Sequence, residues 1–193
     1  MVRLRSRPAG PPAASLRSPA GIGRSSSQYA ESVSDALRRM ESPDLRRRRA
    51  ATGLSLLATL ALGVVEAYQA GLLRAVPEPR LWFLDADKVD ASGEAYHSLG
   101  TPDAGLGIVS YGVTIALVTA GAQDRAETKP WLPLLAAAKV VTDALNGGYL
   151  FVEQVSKHRA VCSWCTVAAA ASAATVPLVL PEARRAWTWL RRS

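Results

Sequence analysis

The sequence predicts an all-α membrane protein in which four helices form a bundle embedded in the bilayer. The 193-residue chain collects its apolar residues into four stretches of about 20 residues, Ala51–Leu73, Ala104–Ala122, Trp131–Val152 and Ala160–Leu180. A bilayer core of about 30 Å needs roughly 20 apolar residues per helix. The four stretches contain only three charged side chains, and none alternates apolar and polar residues as a barrel strand does. This pattern argues against a soluble globular enzyme.

The flanking residues indicate where each helix begins and ends. The first stretch ends before Pro77, and the second follows Thr101-Pro102-Asp103, a plausible helix start. The third opens with Trp131, and we expect the fourth to end at Pro181. Small residues from Ala168 to Ala174 would let the fourth helix pack closely against a neighbour.

The N-terminal region has a different composition. Residues 1–30 hold five Arg, several Pro, Ser and Gly, and no acid, which cannot build a hydrophobic core. We predict a disordered basic cytoplasmic tail over residues 1–45, with a short polar helix within Ser27–Met40, and a membrane domain over residues 46–193. A transit peptide is the alternative interpretation, whereas a secretory signal is not, because no apolar segment follows the first Arg residues.

The distribution of charge predicts the orientation in the membrane. Eleven Lys and Arg residues precede the first stretch, and four Arg residues follow the fourth. The positive-inside rule then places both termini in the cytoplasm. We therefore expect a multi-pass protein of the plasma (inner) membrane. The long first loop, residues 74–103, carries six acids against three basic residues and faces outward.

The net charge of +7 raises the question of nucleic-acid binding. The basic residues lie beside the predicted membrane ends, where lipid headgroups and topology account for them. We therefore expect membrane lipid as a partner and no nucleic acid.

The only two cysteines form a Cys-x-x-Cys motif, Cys162-Ser-Trp-Cys165, at the outward end of the fourth stretch. Residues i and i+3 of a helix share a face, within disulfide range. The helix dipole and the basic Lys157-His158-Arg159 just upstream favour thiolates. The residues alone leave open a redox pair, two small buried residues without a role, or a metal site. We expect no metal, because zinc needs two more ligands and nothing in the spacing of His97 or His158 pairs them with the cysteines.

Four apolar stretches, a long outward first loop and Lys157-His-Arg-Ala-Val-Cys-Ser-Trp-Cys165 resemble the vitamin K epoxide reductase family over about Ala51–Leu180. The resemblance implies a four-helix membrane bundle around a quinone of the menaquinone, ubiquinone or vitamin K type. It implies that Cys165, one turn deeper, contacts the quinone, and that Cys162, nearer the surface, exchanges with an incoming thiol.

The first loop departs from the family pattern. The family carries a cysteine pair there, which relays electrons between a thioredoxin-like partner and the membrane Cys-x-x-Cys motif, and a serine that helps to hold the quinone. Here Ser98 keeps the serine position, Ser92 stands in place of the second cysteine, and the first is missing near Leu84–Asp87. A partner thiol could reach Cys162 directly, another protein could supply the relay, or turnover could be lost.

Other polar residues have both functional and structural interpretations. Tyr111 could bond a quinone carbonyl, and Trp164 could stack on its ring or anchor at the headgroups. Lys139 and Asp143, spaced i, i+4, could be functional or could neutralise each other, and we interpret Glu66 as structural. The acidic residues 85–94 are interpreted as a solvated loop.

These observations predict a membrane thiol–disulfide oxidoreductase that couples the Cys162–Cys165 disulfide to a quinone. The alternative is a non-catalytic quinone-binding or scaffold membrane protein that has lost the relay.

Overall fold

The computed structural model describes residues 27–96 and 100–192, and within them the chain is helical. The α-helices are α1 (Gln28–Arg39), α2 (Pro43–Gln69), α3 (Ala86–Asp90), α4 (Asp103–Thr119), α5 (Arg125–Thr128), α6 (Trp131–Glu153) and α7 (Ser163–Leu190). A 3-10 turn, Gly93–Tyr96, follows α3, and a π-helical turn, Gln154–His158, follows α6. Among the described residues the only β-pairing is an isolated bridge between Leu84 and Val161. The predicted all-α class is confirmed.

The described residues 27–40 belong to a unit of their own, in which the helix is α1. The Ser27 side chain caps this helix by accepting a hydrogen bond from the amide of Ala30 at 3.1 Å. Asp35 and Arg39 form an ion pair one turn apart, at 3.6 Å. The prediction of a disordered tail falls on residues that lie mostly outside the described range.

In the second unit, which begins at Glu41, the four long helices contact one another in a ring. Helix α2 packs against α4 and α7, and α6 packs against the same two helices. Small side chains bring α2 and α7 together, since Ala58 and Ala61 cluster with Ala168 and Ala171. A Cβ on Gly147 of α6 would lie only 3.2 Å from the Cα of Ala169. The small residues that the sequence singles out on the fourth stretch are therefore packing contacts.

Two of these helices, α2 and α7, are long and apolar enough to cross a membrane. Helix α4 is apolar but has only 17 residues. Helix α6 has 23 residues, but Lys139, Asp143 and Asn146 lower its mean hydropathy. The prediction of four spans stays a prediction for α4 and α6.

Helix α7 does not end at Pro181, so that prediction is wrong. The helix continues through Pro177 and Pro181 to Leu190. A proline inside a helix removes one backbone hydrogen bond and bends the chain, but tertiary contacts can hold the helix together. Here the next residue, Glu182, is buried and bound by Arg48 and Arg125 from elsewhere in the chain.

The same contacts bring three segments to one end of this unit. Arg48 lies near the start of α2, and its Nη1 donates to the carbonyl of Ala122 at 3.2 Å, between α4 and α6. Its guanidinium also binds Glu182 in the last part of α7. At the opposite end are residues 70–96 of the first loop, the π-helical turn and the start of α7, so the cysteines lie far from this basic end.

Candidate functional site

The backbone of the Cys-x-x-Cys motif is positioned by the first loop and by α7. The amide of Val161 donates to the carbonyl of Phe83 at 3.0 Å, and the amide of Asp85 donates to the carbonyl of Val161 at 3.2 Å. Cys162 is the N-cap of α7, with its Sγ accepting from the amide of Cys165 at 3.2 Å. No disulfide joins the two cysteines, which are both free thiols one helical turn apart.

The connection from α6 to α7 is ordered rather than a simple loop. The π-helical turn ends at Arg159, which adopts a left-handed backbone conformation with φ of 49°. This turn brings Gln154 inward, where its Oε1 accepts from the amide of Cys162 at 3.0 Å. The π-helical turn therefore positions the Gln154 side chain to accept a hydrogen bond from the backbone of Cys162.

Glu78 fastens the first loop to the start of α7. One carboxylate oxygen accepts from the amide of Ala86 at 2.5 Å, at the start of α3. The other accepts from the amide and the hydroxyl of Ser163, at 3.2 and 3.0 Å. A carboxylate at a helix N-terminus accepts hydrogen bonds from free backbone amides and interacts favourably with the positive end of the helix dipole.

The two cysteines differ in burial. Cys162 is fully buried in a cluster that includes Val76, Ala86 and Val89 of the first loop. Cys165 is partly exposed and lines a cavity. An incoming thiol can reach Cys162 only if the loop above it moves.

The cavity has a volume of about 430 Å³ and is lined by the four long helices, the first loop and the π-helical turn. Apolar residues form part of its wall, among them Leu62, Val65, Leu106, Leu150 and Ala168. Polar groups are interspersed, among them Ser110, Asn146 and Gln154. This combination of size and lining is typical of a site for a small organic ligand.

Asp90 is a site residue that the sequence interpretation missed. Instead of lying in a solvated loop, Asp90 is buried, and its Oδ1 accepts from the Cys165 thiol at an Sγ–Oδ1 distance of 3.5 Å. One carboxylate oxygen of Asp90 and the sulfur atoms of Cys162 and Cys165 all lie within 4.8 Å of one another. Its second oxygen, Oδ2, is buried without a hydrogen-bond partner among the described residues. The solvated-loop interpretation is wrong here because α3 turns this carboxylate inward.

Burial raises the pKa of Asp90 to about 6, because a charged carboxylate loses hydration there. The two thiols, as hydrogen-bond donors, lower this pKa, while Asp103 and Glu78 raise it. A signal for this residue exists in the sequence, since Ala86, Val89 and Asp90 have the spacing of one helix face. The first two are apolar, so the third shares their buried side.

Of the residues expected to contact a quinone, only some lie at the cavity. Tyr111 lines the cavity, but its hydroxyl is bonded to Ser172 Oγ at 2.6 Å. Trp164 does not line the cavity, and its Nε1 donates to the carbonyl of Pro77 at 2.7 Å. Ser98 lies outside the described residues. Ser92 is described, and it lines the cavity.

Lys139 and Asp143 form an ion pair that also includes two hydroxyls of α4. Asp143 accepts from Ser110 at 2.9 Å and from Thr114 at 2.5 Å, while the ammonium of Lys139 donates to Ser110 at 2.8 Å. The pair therefore joins α6 to α4. Glu66 packs against Gly105 of α4, and its Oε2 is buried without a hydrogen-bond partner among the described residues.

Comparison with known proteins agrees with this geometry. Residues 49–180 match the Vitamin K epoxide reductase family. No curated protein was found to match the chain. Proteins of the matched family are membrane oxidoreductases that act with quinones, and two helices here are apolar enough to span a membrane. The match covers more than half of the chain, including all of α4 and α6, most of α2 and α7, the first loop and both cysteines, and the chain therefore belongs to the vitamin K epoxide reductase family.

Proposed function

We propose that this protein is a quinone-coupled thiol–disulfide oxidoreductase, in which Cys162 and Cys165 form the reactive pair. Helices α2, α4, α6 and α7 would form a membrane-embedded four-helix bundle in the plasma membrane, with both termini cytoplasmic. Residues 1–45 would be a disordered cytoplasmic tail ahead of this bundle. The observation that carries the proposal is that Cys165 lines a cavity between those helices.

The lining residues suit a quinone headgroup. A flat, largely apolar ring needs an apolar wall, and its two carbonyls need hydrogen-bond donors. The cavity offers apolar side chains from α2, α4 and α7, and hydroxyl or amide groups such as Ser110 and Asn146. A bound quinone supplies an acceptor for two electrons and two protons.

The residues of this chain have separate tasks in the proposal. Cys165 is the thiol that faces the ring, and Cys162 closes the disulfide with it. Tyr111 contributes its ring to the wall, since its hydroxyl is engaged with Ser172. Ser98 would donate a hydrogen bond to the quinone, and Trp164 would hold the first loop through Pro77 beside the site.

The disulfide would be reduced by a thioredoxin-like protein on the outward side. A partner thiolate attacks one sulfur of the disulfide, which breaks the S–S bond and forms a mixed disulfide. The partner's second thiol then releases the dithiol form of this protein, and two electrons have entered Cys162 and Cys165. The chain has only these two cysteines, so it holds at most one internal disulfide and cannot relay electrons through a second one.

Counting thiols in membranes tests the proposal. Reduced membranes are incubated with a water-soluble quinone, quenched in acid and treated with a thiol reagent that adds mass. We expect the two thiols to disappear together, and a Cys162→Ser or Cys165→Ser variant to keep its remaining thiol. If both thiols of the wild type persist, the non-catalytic quinone-binding or scaffold function is favoured instead.

A further inference from the structure

We propose that Asp90 is the proton acceptor of the Cys162–Cys165 pair, taking up one proton when the dithiol becomes a disulfide. The inference rests on the proposed function for its biological use, but its geometry and its test concern only the cysteines and Asp90. Helix α3 lies in the first loop, so this loop contributes a carboxylate to the redox pair although it lacks a cysteine pair.

The geometry that carries the proposal is a buried carboxylate in direct contact with a reacting sulfur. Asp90 is 3% exposed, and its Oδ1 lies 3.5 Å from the Sγ of Cys165. Its Oδ2 is also buried and has no partner among the described residues. A buried carboxylate that has one oxygen without a hydrogen-bond partner is poorly stabilised as an anion, so burial favours its protonated form.

Oxidation of the cysteines makes that proton more favourable still. In the dithiol state, Cys165 donates its S–H to the carboxylate, and Cys162 acts in the same direction. Disulfide sulfurs carry no hydrogen, so oxidation removes both donors from the anionic form. The proton affinity of Asp90 therefore rises when the disulfide forms, and falls again when the disulfide is reduced.

The atoms and electrons of the step balance. Two S–H bonds break, one S–S bond forms, and two electrons leave the sulfurs. One of the two released protons goes to Asp90, and the other leaves directly. An oxidant of the quinone class takes both electrons, together with the second proton and the proton that Asp90 passes on through the cavity, which Asp90 also lines.

Other titratable groups face Asp90 from the elements packed around it. They are Cys162 and Cys165 of α7, Tyr68 of α2, Asp103 of α4 and Glu78 of the first loop, while His158 of the π-helical turn lines the same cavity. His158 and Lys157 lie against Glu94, at 3.0 and 3.6 Å. The Cys165 thiol itself donates to Asp90.

The test is the equilibrium of the purified full-length protein with reduced and oxidised dithiothreitol between pH 5 and pH 8. Exchange between two dithiol–disulfide couples is independent of pH in this range unless another group changes its protonation. If Asp90 takes up a proton on oxidation, the disulfide fraction falls as the pH rises above about 6, by up to tenfold per pH unit. We expect a total change of about 10- to 100-fold, which is the scale of one hydrogen bond to a charged group.

One variant locates the effect, and two others are controls. Asp90→Asn should make the equilibrium constant independent of pH to within about twofold. Asp87→Asn is the matched control on the same helix. Its carboxylate accepts from the amide of Val76 at 2.7 Å, a bond that the Asn carbonyl can keep, and it should retain the wild-type pH dependence. His158→Asn should retain it as well.

A wild-type equilibrium that is flat from pH 5 to pH 8 overturns the proposal without any variant. An Asp90→Asn protein that keeps the wild-type pH dependence overturns it too. Neither result bears on oxidation by quinone, which is measured separately by thiol counting. A protein that shows the pH dependence but is not oxidised by quinone keeps the role of Asp90 and loses the quinone.

Discussion

Glu78 and Ser163 are 85 positions apart in the chain, yet the Glu78 carboxylate binds both the amide and the hydroxyl of Ser163. This contact places the first loop over the start of α7. Together with the bridge between Leu84 and Val161, it closes the space above Cys162. Access of any thiol or thiol reagent to Cys162 therefore requires the loop to open.

Weakening this contact should make Cys162 more reactive. In a Cys165→Ser background, Glu78→Ala removes acceptors for three hydrogen bonds at the starts of α3 and α7. Loss of a helix cap costs about 0.5–2 kcal/mol, so the open population should rise roughly 2- to 30-fold. The rate of alkylation of Cys162 by a small maleimide reports it. Glu94→Ala, which removes a half-exposed carboxylate of the same loop, is the control. Equal rates for Glu78→Ala and this control would contradict the gating role.

The burial of Asp90 should lower the stability of the protein at neutral pH. Its pKa is about 6 in the folded state against 3.8 ordinarily, so the folded state holds the proton more tightly. Stability then falls as the pH rises from about 4 to about 6, and the cost is fully present above that range. Asp90→Asn should unfold at a temperature several degrees higher than wild type at pH 8, corresponding to at most about 3 kcal/mol.

This gain should vanish near pH 4, where both proteins carry an uncharged side chain at position 90. Thermal unfolding in detergent at the two pH values measures it. An Asp90→Asn variant that is less stable than wild type at pH 8 would show that hydrogen bonds, rather than an unfavourable charge, dominate at this position.

The sequence predicts the long helices well because their signal is local. The third apolar stretch, for example, is predicted over Trp131–Val152, and α6 spans Trp131–Glu153. Apolar length and flanking prolines fix such elements without knowledge of the rest of the fold. The Cys-x-x-Cys motif is equally local, and with the pattern of apolar stretches it leads to the correct family.

The features that the sequence does not predict depend on distant contacts. Pro181 ends a helix by local rules, yet α7 continues because Glu182 is bound by Arg48, 134 positions away. Asp90 lies in an acidic segment that is typical of solvated loops, and only the packing of α3 near the cysteines buries it. Burial of a charged residue is decided by tertiary structure, which composition does not reveal.

The buried charges at the basic end should be essential for stability. Glu182 binds the guanidinium groups of Arg48 and Arg125, and all three side chains are buried. Burial lowers the pKa of Arg125, and Glu182 opposes that effect. Glu182→Gln would leave two buried cations without a counter-ion, so we expect a loss of about 3–5 kcal/mol.

Lys157→Gln provides the comparison for this loss. Its ion pairs with Glu94 and Glu153 involve a solvent-exposed ammonium, so their loss should change the unfolding temperature little. Thermal unfolding in detergent separates the two variants. If Glu182→Gln unfolds within a degree or two of Lys157→Gln, the ion cluster does not hold α7 to α2 as its geometry indicates.

The orientation in the membrane can be tested at two exposed positions on opposite ends of the second unit. In a Cys162→Ser/Cys165→Ser background, Trp82→Cys places a thiol in the first loop, where the side chain is 95% exposed. Glu127→Cys places one in α5, at the end where Arg48 and Glu182 meet. Four basic residues, Arg46 to Arg49, stand at the start of α2, and the positive-inside rule puts that end in the cytoplasm.

In intact cells, a membrane-impermeant maleimide should label Trp82→Cys, and should label Glu127→Cys only after permeabilisation. The reverse pattern would place the cysteine end in the cytoplasm, where thiols are kept reduced, and would remove the outward thiol partner from the proposed function. Labelling of both positions only after permeabilisation would show that the predicted outward loop is not exposed at the cell surface.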